Sequence, residues 1–312
     1  MSEPLILNDI CEFIVDTKHK TPKFTESGYP CIRTPNIGRG YFILGNAKLV
    51  DEESYVEWTT RATPSKNDLI LAREAPVGNV AIIPPNLKVC HGQRTVLIRP
   101  DSRRVNPHYL MYLMLGDEVQ ARMHSMASGA TVAHLNMSDI RALKLPELPS
   151  IPRQQSVASV LKAYDNLIEN NNRRIAILED MAQSLYQEWF VKFRFPGHEN
   201  IKFKDSTLGQ IPEGWEVKKF GALVCFLRDS VRKGTVEDGT PYMGLEHFPR
   251  KSLSLSEWEE VNEIGSSKLK FQKGDILFGK IRPYFHKVGV AQTTGLCSSD
   301  TFIWRPIEPV LF

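Results

Sequence analysis

Cysteine is scarce in this chain of 312 residues: Cys11, Cys31, Cys90, Cys225 and Cys297 are odd in number, far apart and never in a CxxC pair. That excludes a disulfide framework and a zinc ribbon as organising devices, and leaves reduced, mostly buried thiols of a cytoplasmic protein as the expectation. No run of about 18 apolar residues occurs, so nothing has the length of a membrane span; residues 110–115 are apolar but far too few. The opening Met1-Ser-Glu-Pro lacks the basic stretch and apolar core of a secretory leader. An excess of charge of one sign is also missing, with 39 Lys and Arg against 36 Asp and Glu. The resulting net charge of +3 is a weak bias toward an anionic partner and rules out a histone-like tail.

Catalytic signatures are missing as well. There is no Asn-Pro-Pro-Tyr-like methyl-transfer motif and no nucleophile elbow. His19, His91, His108, His124, His134, His198, His247 and His286 are scattered without metal-ligand spacing. Glu216-Val-Lys218 echoes a nuclease Glu-x-Lys but has no partner carboxylate in register. Gly274-Asp-Ile-Leu-Phe-Gly279-Lys280 nearly matches a phosphate-binding loop, yet Ile281 stands where the magnesium-binding hydroxyl belongs and Asp-Ile-Leu-Phe reads as a strand. No catalytic residue and no metal ligand is therefore assigned.

What is present is a repeat. Lys66-Asn-Asp-Leu-Ile-Leu-Ala-Arg73, Val77-Gly-Asn-Val-Ala81 and Thr95-Val-Leu-Ile-Arg99 return in the same order as Lys273-Gly-Asp-Ile-Leu-Phe-Gly-Lys280, Val288-Gly-Val-Ala291 and Thr301-Phe-Ile-Trp-Arg305. The offsets, counted at Asp68, Ala81 and Thr95, are 207, 210 and 206 residues. Three ordered blocks at one long offset indicate duplication of a whole domain. Each copy has short β-branched runs between Pro and Gly turns, and the first adds a helical pattern over residues 107–123. The fold class expected is α+β, two repeated domains with irregular, curled β-sheets.

Between the copies the periodicity changes. Val157, Leu161, Tyr164, Ile168, Asn171, Ile175, Leu178, Ala182, Leu185 and Trp189 alternate steps of four and three, the seam of a coiled coil. Ser150 is placed to cap this helix, Pro152 fits its first turn, and Pro196-Gly197 ends the run. About 40 residues make a helix of roughly 60 Å, which with a single apolar stripe needs a partner helix. The seam predicts packing through Leu161, Tyr164, Ile168, Ile175, Leu178 and Leu185. The chain thus divides into a first domain over 1–150, a helix over 151–196, a polar linker over 197–212 and a second domain over 213–312. Trp215, Trp258 and Trp304 are expected as core anchors.

Ser128-Gly-Ala-Thr131, Leu135-Asn136, Leu143-Lys-Leu-Pro146-Glu-Leu-Pro149 and Arg153-Gln154-Gln155 follow one another into the long helix. This order resembles the end of a target recognition domain and the conserved helix of the specificity subunits of type I restriction–modification systems. Leu208-Gly-Gln-Ile-Pro-Glu-Gly-Trp215-Glu-Val resembles the opening of the second recognition domain in that family. The resemblance implies a non-catalytic DNA-binding subunit that reads a bipartite site in double-stranded DNA. It also implies partners: methyltransferase subunits docked on the helix, restriction subunits held through the complex, and S-adenosylmethionine, ATP and magnesium bound by those partners rather than here. The family order is domain, helix, domain, helix. Here only Pro306 to Phe312 follow Arg305, so a second helix is expected to be lacking. The alternatives are a truncated subunit that pairs with a second copy through its helix, a remnant without function, and a stand-alone NTPase or nuclease.

DNA reading needs donors on loops that reach base edges and cations at phosphates. The first copy offers Lys20, Arg33, Asn36, Arg73, Gln93 and Arg94, with Lys18, Lys23 and Arg39 nearby. The second offers Arg228, Arg232, Lys280 and Arg282, with Arg250, Lys251, Tyr284, His286 and Lys287. Any one surface cation is ordinarily just solvated; cations ending the equivalent strand in both copies, at Arg73 and Lys280, favour a shared ligand.

Overall fold

The computed structural model describes residues 4–18, 20–129, 133–249 and 253–307. It is an α+β protein whose chain divides into two compact units, residues 1–170 and 171–312.

Unit 1 runs β1 (Cys11–Asp16), β2 (Tyr29–Ile32), β3 (Lys48–Val50), α1 (Glu52–Trp58), β4 (Leu69–Ala72), β5 (Val80–Ile82), β6 (Cys90–His91), β7 (Thr95–Pro100), α2 (Pro107–Leu115), α3 (Asp117–Met126) and α4 (Met137–Arg141). The strands form a sheet of order β1-β7-β4-β5 and a smaller one of order β3-β2-β6. Every residue of β4 is buried, because both faces of the larger sheet are covered. Leu69, Leu71, Val80, Val96 and Ile98 lie in one core with Leu110, Met111, Val119 and Met123 of α2 and α3. The alternate residues Ile70, Ala72, Ala81 and Leu97 pack with Ile32, Ile37 and Val89. The helical pattern read over 107–123 is two helices, since the backbone at Gly116 is extended (ψ 148°) and Gly116 both ends α2 and opens α3.

The long helix α5 spans Ile151–Tyr186 and passes into a single π-helical turn, Gln187–Val191, so the helix stops short of residue 196. Its first turns are tied to unit 1: the buried Gln154 side chain accepts from the Asn106 amide at 2.8 Å and donates to the Pro149 carbonyl at 2.8 Å. The Tyr112 hydroxyl donates to Asp165 at 2.6 Å. At the far end Phe190, Phe193 and Phe195 pack round Trp215, with ring centroids 5.5–5.9 Å apart. The seam itself is bare: Leu161, Tyr164, Ile168, Ile175, Leu178 and Leu185 are 38–63% exposed. Among the described residues no second helix covers it.

Unit 2 continues with β8 (Phe203–Ser206), β9 (Gly209–Pro212), β10 (Val224–Leu227), β11 (Ser230–Val231), β12 (Gly234–Met243), β13 (Ser254–Leu255), β14 (Glu259–Ile264), β15 (Lys268–Phe271), β16 (Ile276–Gly279), β17 (Val288–Ala291), β18 (Gly295–Ser298) and β19 (Thr301–Pro306). The segment read as a polar linker is thus a hairpin, β8–β9, which turns tightly at Gly209 (φ +98°). The other strands of unit 2 form sheets of order β10-β19-β16-β17-β13 and β11-β15-β18-β12-β14.

The duplication holds at the level of single hydrogen bonds. Asp68 is buried and takes both prongs of Arg99, at 2.8 and 2.7 Å; Asp275 takes both prongs of Arg305, at 2.7 and 2.8 Å. Asp68 also accepts from the Ser65 amide and Asp275 from the Gln272 amide, each at 2.8 Å. The residue before each aspartate is left-handed, Asn67 at φ +72° and Gly274 at φ +90°. Strand register corrects one sequence match. Leu69 lies opposite Ile82 and Ile276 opposite Val290, so Val290 is the equivalent of Ile82, at an offset of 208 rather than 210.

One face differs between the copies. The equivalents of Leu71, Val96 and Ile98, which lie under helices in unit 1, are Phe278, Phe302 and Trp304, which are only half-buried in unit 2 and stack on one another at 5.5–6.4 Å. Trp258 is not a core anchor, being 39% exposed. Among the described residues no helix is long and apolar enough to cross a membrane.

Candidate nucleic-acid interface

Parallel and antiparallel pairing bring distant donors of unit 1 to one strand end. β2 and β6 run parallel with Ile32 beside His91, so Arg33 emerges next to Gly92. β4 and β7 run antiparallel with Ala72 opposite Thr95, and the Arg73 amide donates to the Arg94 carbonyl at 3.0 Å. The turn joining β6 to β7, which carries Gln93 and Arg94, therefore lies between Arg33 and Arg73. The approach is close at Gly92, where a Cβ would stand 3.0 Å from Arg33 Cγ and 3.2 Å from Cys31 Sγ. The segment leading to α4 reaches the same end: the Leu135 amide donates to the Arg73 carbonyl at 2.9 Å, and His134 bridges to both Glu74 and Ser128. Thr131 of the Ser-Gly-Ala-Thr motif lies outside the described residues.

Arg94 is exposed, left-handed (φ +66°) and held through Nε by Glu74 Oε2 at 3.1 Å, which leaves Nη1 and Nη2 without a partner among the described residues. Arg73 and Gln93 are half-buried, and their side chains have no partner there either. Arg33 lies over the Phe24 ring at 5.4 Å, and its buried Nε has no hydrogen-bond acceptor among the described residues. Lys20 is exposed a few residues beyond Asp16, the last residue of β1, which pairs with Val96 near this end of the sheet.

His91 is the support under the turn. It is buried, its Nδ1 lies 3.1 Å from the Thr95 hydroxyl, and that hydroxyl donates to the Gly92 carbonyl at 2.7 Å. Burial pushes the imidazole down to about 4, so it is neutral at physiological pH. A folded-state value below the unfolded value of about 6.5 means that the unfolded chain takes up the proton first as pH falls. Stability is therefore full above pH 6.5 and drains away down to about pH 4. We expect His91 to contribute a loss of about 2 kcal/mol between pH 7 and pH 5, and His91→Gln to flatten that part of the profile. Urea titrations at stepped pH measure this; an unchanged slope in the variant would contradict it.

One sequence expectation is corrected here. Asn36 is not a base reader: it is fully buried, its Oδ1 accepts from the Arg33 amide at 3.1 Å, and its Nδ2 donates to the Ile43 carbonyl at 3.1 Å and Asn46 Oδ1 at 2.9 Å. An Asn at the end of a 3-10 turn closes that turn with its amide, and nothing is left for DNA. Lys280 Nζ donates to the Ser299 carbonyl at 2.7 Å and lies 4.7 Å from the Phe302 ring, which uses one of its three donors. Arg39 donates to the Leu115 carbonyl at 2.8 Å. Arg228, Arg232 and Arg282 are exposed, and their side chains have no partner among the described residues; Arg228 follows β10 and Arg232 follows β11. His19, Arg250 and Lys251 lie outside the described residues. Glu74 and His91 carried no sequence motif. The Asp68–Arg99 pair could have been found, since its aspartate and arginine recur at the offsets of the blocks.

Residues 2–180, more than half of the chain, match the family model of the type I restriction modification DNA specificity domain, and the chain belongs to that family. The specificity subunit of the type I restriction enzyme MjaIX of Methanocaldococcus jannaschii is 31% identical over 246 residues, 77% of this chain and 56% of that protein. The MjaVIII specificity subunit of the same organism is 28% identical over 287 residues, 88% of this chain and 63% of that protein. The chain thus spans 56–63% of the length of these two relatives. The fold is shared with the crystal structure of the type I restriction–modification system S subunit from M. genitalium, at a TM-score of 0.56 and 15% identity over 97% of this chain and 72% of that one.

Proposed function

We propose that this chain supplies DNA sequence specificity to a type I restriction–modification complex, each unit reading one half of a bipartite site. The observation that carries the reading is the strand-end edge of unit 1, where pairing of β2 with β6 and of β4 with β7 gathers Arg33, Arg73, Gln93 and Arg94 round one turn. Arginine and glutamine in fixed backbone settings can make two-pronged bonds to guanine and adenine in the major groove, and neighbouring cations hold phosphates. Family membership supports the same role. The chain itself performs no chemistry in this account. S-adenosylmethionine, ATP and magnesium belong to partner subunits, and the complex works in the cytoplasm.

The helix is the docking element. Its exposed stripe is too apolar to stay in water on one face of a 36-residue helix, and methyltransferase subunits cover it in this reading. Restriction subunits join through that complex. Ile168→Glu and Leu178→Glu fall at positions 57% and 61% exposed, so the fold should tolerate them. Capture of co-expressed methyltransferase subunits should drop at least tenfold for the double variant. Undiminished capture would mean that the partner docks elsewhere. Loss of self-association in place of subunit capture would mean that the seam serves a second copy.

A further inference from the structure

The two copies carry opposite hydrogen-bond chemistry at the same position. Thr95 lies opposite Ala72 and Thr301 opposite Gly279, so Arg94 and Asp300 each precede the first residue of the equivalent strand. The backbone clamp is the same in both: the Arg73 amide donates to the Arg94 carbonyl at 3.0 Å and the Lys280 amide to the Asp300 carbonyl at 2.8 Å. The neighbouring positions change with it. Arg33 follows β2 beside the turn in unit 1, and the residue after the matching strand β12, whose Met243 pairs with Cys297 as Ile32 pairs with His91, is Gly244. Arg73 has no side-chain partner among the described residues, whereas its equivalent Lys280 is turned onto the Ser299 carbonyl and braces the turn itself. The positions that present guanidinium groups in unit 1 thus present a glycine, a lysine bonded to the backbone and an exposed carboxylate in unit 2.

A carboxylate accepts hydrogen bonds and donates none, and against DNA phosphates it is unfavourable unless an amino group meets it. We infer that Asp300 is a specificity-determining residue of unit 2, accepting from the exocyclic amino group of a cytosine, while Arg94 at the matching place in unit 1 donates to a guanine. Lys280 is the positioning residue, its Nζ fixing the turn at Ser299 and its charge lowering the cost of bringing Asp300 to the groove. This rests on the DNA-reading role proposed above.

Selection of bound duplexes from a randomised library, using the full chain and its Asp300→Asn, Asp300→Ala and Arg94→Ala variants, tests it. The wild type should select a motif with a cytosine that Asp300→Ala no longer demands, preference at that one position falling about 5- to 150-fold. Asp300→Asn, which keeps the shape and adds a donor, should shift the same position toward adenine. Arg94→Ala should relax a different position, in the other half of the motif. A motif that responds to Arg94→Ala but is untouched at every position by both Asp300 variants overturns this inference alone. A wild type that selects no motif overturns the DNA-reading role and this inference together.

Discussion

Arg99→Met should destabilise unit 1 by about 3–5 kcal/mol, because it strands a carboxylate in the interior. Asp68 is 2% exposed, and the two Arg99 bonds at 2.8 and 2.7 Å are its charge partner. Arg305→Met should act in the same way on unit 2, nearer the lower figure, since the Arg305 side chain is 39% exposed and water can reach the place it leaves. Native-state hydrogen exchange separates the units: core amides such as Leu71 and Leu97 report on the first substitution, Leu277 and Ile303 on the second. The pair Asp68→Asn with Arg99→Met should recover most of the loss, since no unpaired charge is then left behind. A loss below about 1 kcal/mol in Arg99→Met would contradict the role of the buried pair as the shared anchor of both units.

Arg94→Ala should weaken binding to the cognate duplex by about 1–3 kcal/mol, roughly 5- to 150-fold, with a smaller effect on random duplex. The asymmetry follows from how the side chain is held. Glu74 contacts Nε and leaves the two terminal nitrogens for the O6 and N7 of a guanine. A phosphate contact would lose affinity evenly across sequences and lower the salt dependence by about one ion. Competition titrations at two salt concentrations distinguish these. Equal losses on cognate and random duplex would remove Arg94 from base reading and leave it a phosphate contact.

How far the sequence was legible follows from which forces leave a pattern. The duplication could be read because the Asp68–Arg99 and Asp275–Arg305 pairs force an aspartate before one strand and an arginine at the end of another in both copies. The long helix could be read because a seam imposes its period on many residues at once. Side-chain commitments leave no such trace. Asn36 sits in an Arg-Thr-Pro-Asn run that looks like a donor loop, yet a 3-10 turn consumes its amide. Lys280 looks equivalent to Arg73, and one of its three donors is bound at the Ser299 carbonyl. The Val-Gly-Val-Ala run resembles its counterpart in composition two residues out of register, and hydrogen bonding between β16 and β17 fixes the true offset. Asp300 is no cation, and its equivalence to Arg94 rests on strand register, since Thr301 pairs with Gly279 as Thr95 pairs with Ala72.

The most direct test of the central claim is to co-express the chain with its cognate methyltransferase subunits and map methylated adenines across the host genome. The account predicts methylation confined to one split motif, whose two halves change separately when Arg94 or Asp300 is replaced. A complex that forms and methylates without any sequence preference would contradict it.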